Sequence, residues 1–254
     1  MAYVLFFALI GYLTGGLELM YVLILAFVFA SLILYAFGDR IVLGLVNARK
    51  AIIDRELWRK ANNIASKQNI GSVQIYTAKH LASNIYFIES SFGNRALIFG
   101  GNIERYLSDS EIEVLTYASL KMFNGHFAKI RIMFGLLNYA FDLPSYLFRK
   151  TTKLQWLDLI YGYLRSPLLL IQNTLFRSRK IRYLDELVAE ETGLGKELGS
   201  AIYKLSDVRA LNNTFLQESI MNSLTYADNK VNENTSFFVD QPRSQERFQI
   251  LLSE

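Results

Sequence analysis

Cysteine is absent from the 254 residues, and histidine occurs only twice, at His80 and His126. The first absence excludes disulfides, thiolate metal sites and a cysteine nucleophile. The second leaves a catalytic zinc site little to work with, because imidazole is its usual ligand. Glycine-rich phosphate loops are also missing. "SFGN" and "FGGN" read as turns, and neither continues into Gly-Lys-Ser/Thr. No stretch interleaves aromatic and basic residues in the manner of a nucleic-acid surface, so nucleic acid is not an expected partner. Ser119 lacks a neighbouring histidine and Lys121 falls off its helical face, which argues against a Ser-Lys dyad.

Apolar residues dominate what is present. Hydrophobic residues make up 52% of the chain and the mean hydropathy is +0.19, the balance of a part-membrane, part-soluble protein. From Ala2 to Phe37 the only charged residue is Glu18. One straight helix of that length would be ~54 Å long at ~1.5 Å per residue, against a hydrocarbon core of ~30 Å. Gly15-Gly16 is the natural break, giving a short first helix and a full second one over about 18–37. A cleaved signal peptide fits poorly, since a basic start is lacking and a second apolar run follows at once. Arg40, Arg49, Lys50, Arg55, Arg59 and Lys60 come next, and the positive-inside rule puts residue 38 onward in the cytoplasm. The net charge of +4 is modest. Arg177, Arg179, Lys180 and Arg182 flank an apolar segment and read as contacts to anionic headgroups, making membrane lipids a partner.

Two further apolar stretches, near 132–148 and 154–176, are weaker spans. The first holds Asp142 and Pro144. The second holds Asp158 and Arg165, each costing roughly 2.5–3.5 kcal/mol at mid-bilayer. If both crossed, Arg149, Lys150 and Lys153 between them would sit outside. A shallow interfacial hairpin suits the charges better, with true spans and packing on the soluble domain as the alternatives.

The remainder is amphipathic. "DRELWRKANNIASKQNI" has helical spacing, "SVQIYTA" alternates like a strand, and "SNIYFIESSFGNRALIFGG" reads as two strands around a turn. Ser108 and Glu111 form a capping box. It opens a helix with Ile112, Leu115, Ala118, Ser119, Met122 and Phe123 on one face. Glu190 and Glu191 read as a solvated helix face. Asn212 and Asn234 lie in glycosylation-type triplets, but the expected cytoplasmic side makes them ordinary surface residues.

Six phrases in order now resemble the HtpX-like and CAAX-prenyl-protease-like membrane zinc metalloproteases. They are "GDRIVLGLVNARK", "SNIYFIES" with Asn84, "LSDSEIEVLTYASLKM", "SRKIRYLDELVAEETG", "ELGSAIYKL" and "QPRSQERFQIL" with Pro242 and Arg247. The resemblance implies an α+β membrane protein. N-terminal transmembrane helices (1–37) would lead into a mainly helical metalloprotease-like cytoplasmic domain with a small β-sheet. That domain would be built from 38–126 and 178–254, with a hydrophobic helical hairpin inserted at 127–177.

The chemistry of the resemblance is missing. Two histidines four apart on one helical face hold zinc in that family, and the glutamate between them activates water. Those positions carry Ala118, Met122 and Ser119, and the third-ligand glutamate falls on Ile181. Asp185, four residues after that ligand, is kept. His80 and His126 have no ligand pattern around them. The expectation is therefore a zinc-free, cofactor-free pseudoprotease in the cell or inner membrane. It would act by binding, as a structural or regulatory subunit alongside other membrane proteins or a homologous active protease. In the family, substrate adds to the strand near Asn84, so Asn84, Asp158 and Arg165 are the candidate partner contacts, unless the chain covers that edge itself. A hydrolase with a non-standard site and a transport accessory protein are the alternatives.

Overall fold

The structure, a computed structural model, describes residues 2–51, 56–89, 94–123, 128–129, 131–133, 135–137, 178–207, 221, 224–227 and 244–253. It is mostly helical, with one small mixed sheet. Asp158, Arg165, His126, Asn212, Asn234 and the bulk of the expected hairpin lie outside these residues.

Helix α1 runs over Ala2–Leu45 and breaks at Gly15-Gly16, as the pattern suggests. Gly16 has φ 70° and ψ −159°, a region essentially open to glycine alone. The two arms fold back closely there: a Cβ on Gly11 would lie 2.5 Å from the Met20 Cα. The helix does not end at Phe37, however. Its last two turns continue to Leu45, and Val42 is fully buried, as is Val46 just beyond. The boundary expected at residue 37 marks a change of environment, from apolar exposed surface to domain core, and not the end of the element.

Strands β1 (Arg49–Lys50), β2 (Val73–Ala78), β3 (Ile85–Glu89) and β4 (Arg95–Gly100) stand in the order β1-β2-β4-β3. β2 and β4 are parallel, and the other pairs are antiparallel. Strands β3 and β4 are apolar at nearly every position because both sheet faces are covered. Ile85, Phe87, Leu97 and Phe99 face a core shared with α2 (Glu56–Lys67) and α3 (Asp109–Lys121). Tyr86, Ile88, Ala96 and Ile98 face Val42, Val46, Ile132 and Leu136.

Residues 131–133 and 135–137 are helical; Ile132 and Leu136 belong to that second core, while Leu137 and Met133 pack with the first. A Cβ on Gly38 would meet the Ile132 Cγ2 at 2.8 Å, so the close approach of α1 to this segment requires glycine. The start of the expected membrane hairpin is thus domain interior. Arg131 in this segment is 1% exposed, with its guanidinium 6.0 Å from the Phe87 ring centre. Helices α4 (Ser178–Thr192), α5 (Gly195–Asp207) and α6 (Ser244–Ser253) complete the domain around α3.

Candidate functional site

Helix α3 starts on the expected capping box. The Ser108 hydroxyl accepts from the Glu111 amide, and Glu111 Oε2 accepts from the Ser108 amide at 2.7 Å. Glu111 does more than cap. It also accepts from Ser200 Oγ at 2.6 Å and from Lys204 Nζ at 2.7 Å, tying α3 to α5. Burial pushes its carboxyl upward, but the Lys204, Ser200 and Ser108 contacts together outweigh this and hold it below the ordinary glutamate value.

Ala118, Ser119 and Met122 follow on the buried face, and Ile181 is buried on α4. Ala118, Met122 and Leu184 share one apolar cluster. The Ser119 hydroxyl is buried and, among the described residues, has no hydrogen-bond partner. Among the described residues, no three of His, Cys, Asp or Glu stand together as metal ligands. Lys121 turns away from Ser119 and pairs with Glu191 of α4, which also accepts from the Tyr117 hydroxyl at 2.6 Å. Burial, with that carboxylate beside it, pushes Tyr117 up to about 12. Glu191 is therefore a clamp between α3 and α4 and not a merely solvated residue.

The edge of β3 is closed. Asn84 is fully buried, and its Nδ2 donates to the Ala227 carbonyl at 2.9 Å. The Phe87 amide donates to the Leu224 carbonyl, and Tyr86 bridges Thr225 in antiparallel fashion. The expected Asn84 docking edge is thus occupied by residues 224–227 of the same chain, all fully buried. Sequence reading offers the covered edge only as an alternative, because nothing in "LTYA" announces a strand.

Behind this strap lies a buried charged network. Arg247 donates from Nε to Asp185 Oδ2 at 2.8 Å and from Nη2 to Asp185 Oδ1 at 2.7 Å. Its Nη1 donates to the Tyr226 carbonyl at 2.8 Å, and the Tyr226 hydroxyl donates to Asp185 Oδ1. The guanidinium also lies 4.8 Å from the Tyr226 ring centre. Burial, reinforced by Asp185, pushes the Tyr226 hydroxyl well above the usual tyrosine value. Asp185 and Arg247 stand out in the sequence separately, and the structure joins them. Tyr226 and Lys204 carry no sequence signal that would have found them.

No protein-family model and no curated protein matches the chain. Among solved structures it is similar to a crystal structure of Ste24p from S. mikatae, with a TM-score of 0.48 and 13% identity. That likeness covers 98% of this chain and 62% of the other, so the chain spans less than two thirds of that protein's length.

One helix among the described residues, Gly11–Leu45, is long and apolar enough to cross a membrane. Its second arm is apolar from Leu17 to Phe37 apart from Glu18, and 21 residues rise ~31 Å. That matches a hydrocarbon core of ~30 Å. Tyr21, Leu25, Phe29 and Leu32 on this arm are exposed, a surface suited to lipid.

Proposed function

We propose that this chain is a degenerate member of the HtpX-like membrane metalloprotease group that acts by binding and not by peptide hydrolysis. Its folded domain would sit on the cytoplasmic side, as a structural or regulatory subunit beside other membrane proteins. The observation that carries the reading is the packing of Ala118 and Met122. Both lie in a closed apolar cluster where a hydrolase of that kind needs a polar cavity open to water and substrate. The strap over β3 supports it, because an extended peptide has no free edge to join on that side.

The test is a peptidase assay on the purified full chain with and without added zinc, paired with elemental analysis. No metal-dependent cleavage and well under one zinc per chain are expected. Cleavage abolished by a chelator, or about one tightly held zinc per chain, would overturn the proposal. Peptide hydrolysis that ignores chelators would favour a hydrolase with a non-standard site.

A further inference from the structure

The base of the membrane arm carries a cleft lined mainly by polar side chains. Its volume is about 220 Å³, and it lies between the end of α1 and the sheet. Asp39 and Arg40 line it from the helix, and Gln74, Tyr76, Asn94 and Arg95 line it from the sheet side. Its height in the membrane follows from length. The apolar stretch of the second arm ends at Phe37, ~31 Å from its start, so Asp39 and Arg40 fall at the headgroup level.

The cations there differ in what answers them. Arg40 is exposed and, among the described residues, forms no ion pair, only a cation–π contact with Phe37 at 5.9 Å. Arg95 is already answered by Glu89 at 3.2 Å and does not count. Lys50 does. It stands opposite Tyr76 in the β1–β2 ladder, and Tyr76 stands opposite Ile98 in the β2–β4 ladder. Opposed residues share a sheet face, and Ile98 packs in the core with Val42. Lys50 is thus on the α1 side of the sheet, next to a residue that lines the cleft; it is exposed and, among the described residues, forms no ion pair. Arg49, one residue earlier, falls on the opposite face. Arg40 in the lining and Lys50 beside it, against Asp39, leave a net positive site, with the Gln74 and Asn94 amides and the Tyr76 hydroxyl, which donates to Gln74 Oε1 at 2.8 Å, as its polar wall.

We propose that this cleft binds the phosphate of one anionic phospholipid, with Arg40 and Lys50 as the charged contacts and Asp39 setting an upper limit on affinity. The lipid is the source of the phosphate because the cleft stands where its headgroup already lies, beside an arm whose exposed apolar face takes the acyl chains. Exposed side chains at Arg40 and Lys50 can be changed without touching the core, so loss of folding does not confound the test.

The experiment is native mass spectrometry of the full chain in detergent. It is titrated with dioleoylphosphatidylglycerol or dioleoylphosphatidylcholine, with millimolar inorganic phosphate as competitor. The wild type should retain one phosphatidylglycerol in preference to phosphatidylcholine, undisturbed by phosphate. Arg40→Gln with Lys50→Gln should weaken retention by roughly 25-fold, at roughly fivefold per cation, and Asp39→Asn should strengthen it. Arg59→Gln, an equally exposed cation on α2 against the other face of the sheet, should change nothing. Equal retention of the two lipids, an unchanged double variant, an equal loss in Arg59→Gln, or displacement by free phosphate would each overturn the proposal.

Discussion

Replacing Arg247 by Met tests whether the Asp185 network holds the domain together. The substitution keeps much of the side chain's length and apolar stem. It removes both contacts to Asp185 and the bond to the Tyr226 carbonyl. Asp185 would be left with the Tyr226 hydroxyl as its sole remaining contact of this network, in a site where its side chain is 4% exposed. Stranding a buried charge in this way costs about 3–5 kcal/mol. For a domain of this size that is a fall in Tm of about 6–20 °C. Asp185→Leu strands the guanidinium instead and should cost a similar amount. Simple addition would put the double variant at about 6–10 kcal/mol. Removing both charges together leaves the Tyr226 hydroxyl and carbonyl without these partners, at about 1–3 kcal/mol each, or about 2–6 for the two. Thermal melts of the four proteins in one detergent give the coupling directly. A double variant equal to the sum of the singles within about 0.5 kcal/mol would refute the network as a cooperative unit.

Ala118→His with Met122→His restores two ligand positions of the resembled motif inside closed apolar packing. Each buried ring without a partner costs about 1–3 kcal/mol, so the melting temperature should fall, and an unchanged melt would mean that the cluster is open to water. Glu111 carries the pH dependence to look for. Its carboxyl is depressed in the folded state, so its contribution is present above the unfolded value near 4.5 and lost as pH falls through the lower folded value. Glu111→Gln should therefore flatten the loss of stability on acidification below that range. A variant whose acid limb superimposes on the wild type would contradict the Lys204 and Ser200 contacts.

Much of the fold was legible because local chemistry and tertiary packing agree. The Ser108–Glu111 box, the Gly15-Gly16 break and the β3–β4 pair each rest on short-range rules that the folded chain obeys. The misses have a common physical source. Apolar periodicity does not distinguish a helix facing lipid from one facing a core, so the stretch near 132–148 reads first as an interfacial hairpin and only alternatively as packing on the domain, while Ile132 and Leu136 pack on the sheet. The end of α1 is the other miss: Gly38-Asp39-Arg40 interrupts the apolar run, yet the helix continues past it to Leu45 and carries Val42 into the domain. Sheet edges are set by contacts far apart in sequence. The partner of Asn84 lies 143 residues away, and no local pattern could place it.

The positions that match the resembled motif and those that depart from it differ in what they do in this chain. Ser108, Glu111, Asn84, Asp185 and Arg247 all match, and each makes hydrogen bonds that hold elements together without help from any metal. Ala118, Ser119, Met122 and Ile181 depart from it, and three of the four are apolar residues in buried packing. On the proposed reading, the polar groups that would serve only chemistry are the ones replaced, while those that serve cohesion stand. The replacements also fit the energetics of a site without metal. Imidazole and carboxylate groups buried without their ion are costly unsatisfied groups, whereas alanine, methionine and isoleucine add to the core. Ser119 is the exception, with a buried hydroxyl that lacks a partner among the described residues. It is the residual cost of a surface that, on the proposed reading, once faced a cavity and now faces the interior of a binding protein.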